Sequence, residues 1–213
     1  MLVKQMPAEF KQLLERLAEE KAPGPSPSFS IFHALMTVEL IAGKSLGRSK
    51  IAEELGIGEG AARTLISRLK NADLIETSKA GCTLTDKGLR LWKEFKSRVK
   101  TVRIEKNELT LTDHSYAALI RNSGHRVKTG MEQRDAAIIA GAKGATTILF
   151  TKGRLVFPSI KHDVDKGFPK ASAQMKSLLK PQENDAIIVV SSDNPVKAEY
   201  AALAAAWTLL ENE

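Results

Sequence analysis

The chain has 213 residues, 43% of them apolar, with 32 Lys and Arg against 25 Asp and Glu for a formal net charge of +7. That length suits one large or two ordinary globular domains. The single cysteine, Cys82, excludes an intramolecular disulfide and a multi-cysteine zinc site. No run of about eighteen apolar residues and no secretory leader is present, which predicts a soluble, cytoplasmic protein with no membrane partner. The basic surplus lies in front: 17 basic against 12 acidic residues up to position 100, then 15 against 13. Such a surplus favours polyanions, yet it is equally common on proteins that bind none.

Taken in chain order, residues 7–21, PAEFKQLLERLAEEK, place Phe10, Leu13, Leu14 and Leu17 at helical spacing and predict an amphipathic helix. The prolines of APGPSPS at 22–28 then enforce a stiff connector. SIFHALMTVELI, from Ser30 to Ile41, is apolar on most faces and reads as a core helix capped at Gly43. SKIAEELG predicts a short helix with Ser49 as N-cap and Gly56 as its stop. GIGEG turns into a third helix, Glu59 to about Ala72, and the alternations around Ile75 and Thr83 predict a hairpin over Lys79-Ala80-Gly81. Thr85 then caps a last helix carrying Leu89, Trp92, Phe95 and Val99.

In the third helix Ala62, Leu65, Ile66, Leu69 and Ala72 share one side and predict the packed face. The opposite side carries Gly60, Arg63, Thr64, Ser67 and Asn71, flanked by Arg68 and Lys70. Any solvated face is polar, but here a short helix and tight turn precede this one and a hairpin tipped by Lys79 follows it. SKIAEELGIGEGAARTLISRLKNADLIETSKAGCTLTDKG resembles the winged helix-turn-helix regulators of bacteria and archaea, down to the closing L-T-D-K-G. The resemblance spans roughly 30–100. It implies binding to double-stranded DNA, with Arg63, Thr64, Ser67 and Asn71 as candidate base readers. Ser49, Lys50, Arg68, Lys70 and Lys79 are then candidate phosphate contacts, and Gly60 permits close backbone approach. Winged helices also serve as protein-contact modules, and acidic Glu59 near the groove end counts against DNA.

Beyond Lys100 the texture changes. TVRIEKNELTLTD alternates like a strand pair around Lys106-Asn107, SYAALIR predicts a strand, and MEQRDAAIIAGA a helix. ATTILFTKGRLVFP predicts a hairpin around Lys152-Gly153; PKASAQMKSLLK, AIIVV and NPVKAEYAALAAAWTLL continue as helix, strand, helix. The predicted class is α+β: an N-terminal helix and linker at 1–27, a winged helix-turn-helix domain at 28–100, and a mixed α/β domain at 101–213. The full order also resembles a group of uncharacterised archaeal proteins expected to be transcriptional regulators, a resemblance that carries no ligand.

Two stretches of the second domain are candidate effector sites. NSGHRVKTG gathers Arg126 and Lys128 with glycines before a helix, as anion sites often do, although a plain basic loop explains it as simply. In SSDNPV a buried strand delivers Ser191, Ser192, Asp193 and Asn194 at its end, where ligands sit in many α/β layers, while the same residue types are ordinary helix caps. His162, Asp163 and Asp165 suggest a fragment of a calcium loop, but Gln174 stands where the twelfth-position carboxylate is required, so no metal is expected. No nucleophile and base pair is visible, and no cofactor is expected.

These readings predict a DNA-binding, non-enzymatic regulator that works as a homodimer, with a second domain for dimerisation or for sensing a small-molecule or anionic effector. The apolar stripe of the first helix and the alanine-rich last helix are candidate interfaces, against intramolecular packing. An enzyme in the second domain and a protein-interaction adaptor are the alternatives.

Overall fold

The computed structural model describes residues 8–18, 28–160 and 162–210, so residues 22–27 of the predicted connector lie outside the described residues. The chain forms two compact units, the first ending at Phe95 and the second starting at Lys96.

In the first unit, α1 (Ala8–Ala18) buries Phe10, Leu14 and Leu17, and the Phe10 ring meets Phe95 edge-on at 6.1 Å. The stripe considered as an interface is therefore consumed within its own unit. Helix α2 (Ile31–Ala42) opens on a capping box: Ser30 accepts from the Phe32 N–H, and the Ser30 N–H donates to His33 Nδ1 at 3.0 Å. Burial pushes the His33 imidazole below its usual pKa, which favours the neutral ring that this acceptor role requires.

Helix α3 (Arg48–Leu55) starts two residues earlier than an N-cap at Ser49 implies, and Gly47 is its N-cap. The cause is non-local. Leu46 forms a bridge with Cys82 and Ser45 Oγ donates to the Ala80 carbonyl at 2.8 Å, so the chain leaves the hairpin straight into the helix. Gly56, at φ 64°, ends α3 in the left-handed conformation, and Gly58 caps α4 (Glu59–Asn71). Ala62, Leu65, Ile66 and Leu69 are its buried face.

Strands β1 (Ile75–Ser78) and β2 (Gly81–Leu84) form the hairpin, in register from Ile75 opposite Leu84 to Ser78 opposite Gly81, and Leu46 adds an isolated bridge to Cys82 of β2. Helix α5 (Asp86–Arg98) follows, its first turn capped by Thr85 Oγ1 accepting from the Gly88 N–H. This succession is a winged helix-turn-helix, with β1–β2 as the wing.

The second unit is built on a five-stranded sheet of β3 (Val99–Ile104), β4 (His114–Ile120), β5 (Gly144–Thr151), β6 (Arg154–Val156) and β7 (Asp185–Ser192), in the order β3-β4-β7-β5-β6. Every pairing is antiparallel, so the connections are those of an α+β fold, with no parallel crossover. One face packs Ile104, Ala117, Leu119, Ile148, Ile187 and Val189 under α7 (Val164–Gly167) and α8 (Pro169–Leu179). The intervening side chains point the other way, towards α6 (Met131–Ile139) and α9 (Pro195–Trp207). Ala198, Ala201, Ala202 and Ala205 of α9 are completely buried there, so its small-residue face also packs internally.

The expected strand pair around Lys106-Asn107 is absent. Residues 105–113 turn instead, because Asn107 Oδ1 accepts from the Leu109 N–H and its own N–H donates to Thr110 Oγ1. The Glu108 carboxylate in this loop accepts from the Lys170 and Ala171 N–H groups and so caps α8. The hairpin at Lys152-Gly153 forms as expected, both residues taking positive φ, 51° and 73°.

Candidate nucleic-acid interface

On α4, Gly60, Arg63, Thr64, Ser67 and Asn71 are all exposed, on the side away from the buried Leu65 and Leu69. Thr64 Oγ1 donates back to the Gly60 carbonyl at 3.1 Å, leaving its methyl group and oxygen lone pairs outward. Open space surrounds Gly60 where a Cβ would stand.

Between α4, the start of α3 and the wing runs a shallow groove of about 480 Å³. Four cations line it: Arg48, Arg63, Lys70 and Lys79, with the hydroxyls of Ser67, Thr77 and Ser78 between them and no acidic residue in the lining. Lys70 Nζ donates to Thr77 Oγ1 at 3.3 Å, a link that sets its reach across the groove from helix to wing. Four uncompensated positive groups in one concavity raise the local potential and concentrate a polyanion there.

Arg48 was not among the sequence candidates. The signal was the run Gly-Arg-Ser-Lys before the helix, but a start placed at Ser49 left Arg48 outside it. Of the other candidates, Gly60, Thr64 and Asn71 are exposed on α4 outside the groove lining, and Ser49 and Lys50 on α3 do not belong to it either. Ser49 is exposed on the first turn of α3 and lies outside the lining. Lys50 pairs with Glu53 at 3.0 Å and Glu54 at 3.1 Å, and those hydrogen bonds, Glu53 first, hold its ammonium above the usual lysine pKa. Its charge is answered within its own helix.

Arg68 is a further correction. Its Nη1 donates to the Leu17 carbonyl at the end of α1 at 2.6 Å, and its guanidinium lies 5.2 Å from the centre of the Phe29 ring. It ties α1 to α4. Arg68→Ala is expected to destabilise the first unit by about 1–2 kcal/mol, the scale of a charge-assisted hydrogen bond on a partly exposed group. Duplex affinity and its salt slope stay unchanged. A denaturant titration paired with fluorescence anisotropy on labelled duplex checks both halves.

The effector candidates of the second unit are occupied by structural work. Arg126 Nη1 donates to the Leu209 carbonyl beyond the end of α9, while Lys128 is exposed. Ser191 Oγ accepts from the Leu111 N–H and shares a 2.8 Å bond with Ser115; Ser192 Oγ donates to the Gly141 carbonyl. Both serines are buried and are the last two residues of β7, the strand end expected of them. Asp193 pairs with Lys143 at 2.9 Å, and Asn194 caps α9 by accepting from Val196 and Lys197 N–H groups. In an antiparallel sheet this end has no crossover crevice.

A concavity of the second unit, about 610 Å³ and lined by Leu149, Val156, Phe157 and Pro158 with Lys152 and Arg154, is at the opposite end of the sheet. The acidic run at 162–165 is likewise committed: Asp163 caps α7, and Asp165 accepts from Ser172 and Lys176. Burial works to raise the Asp165 carboxyl, and the bonds from Lys176 and Ser172 outweigh it, holding the pKa low. Among the described residues no group of three His, Cys, Asp or Glu side chains is placed to hold a metal ion.

Comparison with known proteins agrees with the division into two parts. Residues 32–90 match a family model described as PH0730-like, N-terminal domain, and residues 111–209 match one described as a domain of unknown function, DUF4443. No curated protein matches the chain. Among solved structures, wild-type ZitR of Lactococcus lactis is 25% identical with a TM-score of 0.30, covering 42% of this chain and 68% of its own. A mutant form of ZitR is 22% identical with a TM-score of 0.28, over 42% and 69%. The hypothetical protein PH0730 from Pyrococcus horikoshii OT3 is 27% identical with a TM-score of 0.71, and the match covers 85% of this chain and 93% of that one. The chain is thus similar through most of its length to an archaeal hypothetical protein, and its front part to that protein's N-terminal domain.

Proposed function

We propose that this protein is a non-enzymatic, DNA-binding transcriptional regulator of the cytoplasm, which sets α4 in the major groove of duplex DNA with the wing along the phosphate backbone. The observation that carries the reading is the carboxylate-free groove between α4 and the wing, with Arg48, Arg63, Lys70 and Lys79 around it. A helix of this diameter fits the major groove, and Arg63, Thr64, Ser67 and Asn71 are of the length and chemistry that reach base edges. Arg63 can take guanine O6 and N7 together, and Asn71 can take adenine N6 and N7. Arg48, Lys70 and Lys79 supply phosphate contacts, which fix register without reading sequence. The second unit supplies dimerisation or effector sensing; its apolar concavity between Leu149 and Pro158 is the place for a small, largely apolar effector.

The test is selection of genomic fragments by the purified protein, followed by affinity measurement on the enriched duplex over a range of salt. A shared sequence whose affinity falls steeply with salt supports the proposal. Absence of any duplex binding at low salt overturns it, and points to an acidic protein surface as the partner of the same groove.

A further inference from the structure

Helix α6 buries Gln133 and Ala137 against its own unit and leaves its other side in solvent. On that side Met131 is 49% and Ile138 39% exposed, and Ile139 beside them is 88% exposed, which makes an exposed apolar patch on one helix. Seven residues apart, Met131 and Ile138 stand one above the other in a line along the helix, and at 3.6 residues per turn Arg134 and Asp135 fall on opposite sides of that line. Within the chain these two charges meet only at 3.8 Å, both more than half exposed. The face is therefore an apolar seam with a cation along one border and an anion along the other, at the same height.

Such a face complements itself. If a second copy of α6 lies alongside, pointing the same way about a two-fold axis that runs between the helices, each left border meets the other's right border. Arg134 then stands opposite Asp135 of the copy, and Asp135 opposite its Arg134, while Met131 and Ile138 each pack on their own equivalents. In the antiparallel arrangement like borders meet, which sets arginine against arginine and aspartate against aspartate, so the charges select the parallel one. Ile160, 71% exposed, extends the apolar surface beside the N-terminal end of α6, where Ser159 Oγ donates to the Thr129 carbonyl.

We infer that the exposed face of α6 is the homodimer interface of this protein, with a second copy of the same chain seated on the Met131–Ile138 seam and two reciprocal Arg134–Asp135 ion pairs beside it. This does not rest on DNA binding and is read in the absence of DNA. Sedimentation equilibrium of the full chain is expected to show a dimer. R134D and D135R, each placing like charges across both borders, are expected to weaken self-association about tenfold or more.

Mixing the two variants in equal amounts is expected to restore the dimer, because every border then pairs Asp with Arg, and the double exchange R134D/D135R is expected to restore it within one chain. All these positions are exposed, so far-UV circular dichroism stays unchanged. The inference is overturned if the wild-type chain sediments as a monomer at high micromolar concentration. It is equally overturned if the single variants associate like wild type, or if neither the mixture nor the double exchange recovers the dimer.

Discussion

Replacing Arg63, Lys70 and Lys79 together with alanine is expected to weaken duplex binding on the order of a hundredfold near ~0.15 M salt, and to flatten the slope of log affinity against log salt by about 2 to 3. Each cation that meets a phosphate releases close to one condensed counterion, so both effects scale with the number of contacts removed. All three side chains line the groove between α4 and the wing, all are exposed, and none carries a core contact, so the fold is expected to stand.

The single variants separate the roles. Lys70→Ala and Lys79→Ala weaken all duplexes alike, whereas Arg63→Ala also relaxes the preference at one base position, at a cost of about 1–3 kcal/mol on the preferred sequence. Anisotropy titrations at several salt concentrations measure both. An unchanged slope in the triple variant would remove DNA from this groove.

Helix α4 was legible in the sequence because its two faces obey one period and its start is written in glycines, Gly56 ending α3 and Gly58 capping α4. The wing was legible for a similar local reason, a short alternation on either side of a turn. What escaped depends on residues far apart. Arg68 looks like its neighbours in the sequence, yet a carbonyl 51 positions earlier claims it. Arg48 enters the groove because Leu46 is bridged to Cys82, a pairing that no pattern near Arg48 announces.

In the second unit the alternating Glu108-Leu109-Thr110-Leu111 imitates a strand, but β3 already has its partner in β4, and Asn107 offers the loop its own hydrogen bonds. Ser191 and Ser192 do end β7, but Ser115 and the loops at Leu111 and Gly141 answer their hydroxyls inside the unit, partners that no pattern near the two serines announces.

The L-T-D-K-G sequence at 84–88 has a physical meaning that yields the second large effect. Most of its members bind the segment that follows α4: Leu84 pairs with Ile75, Thr85 donates to the Asp73 carbonyl at 2.7 Å, and Lys87 donates to the Ala72 carbonyl at 3.1 Å. Gly88 lies under the Leu74 carbonyl, and an added Cβ falls inside contact distance of that oxygen and 3.0 Å from its carbon. The carbonyl cannot swing aside, because it accepts from the Thr85 N–H at 3.1 Å. Gly88→Ala must therefore push α5 away from the start of β1.

Helix propensity alone predicts a gain of about 1 kcal/mol from this change, and overpacking against fixed backbone a loss of about 3, so the net expectation is a loss of about 2 kcal/mol. For a unit of this size that is a fall of about 10 °C in unfolding midpoint. Trp92, buried on α5 and stacked on Phe95 at 5.5 Å, reports it by fluorescence in a Trp207→Phe background. A midpoint that rises, as propensity alone demands, would show that the Leu74 carbonyl yields. A fall accompanied by weaker duplex binding at low temperature, where the variant is still folded, would show that this clasp also sets the angle of α4 to the wing.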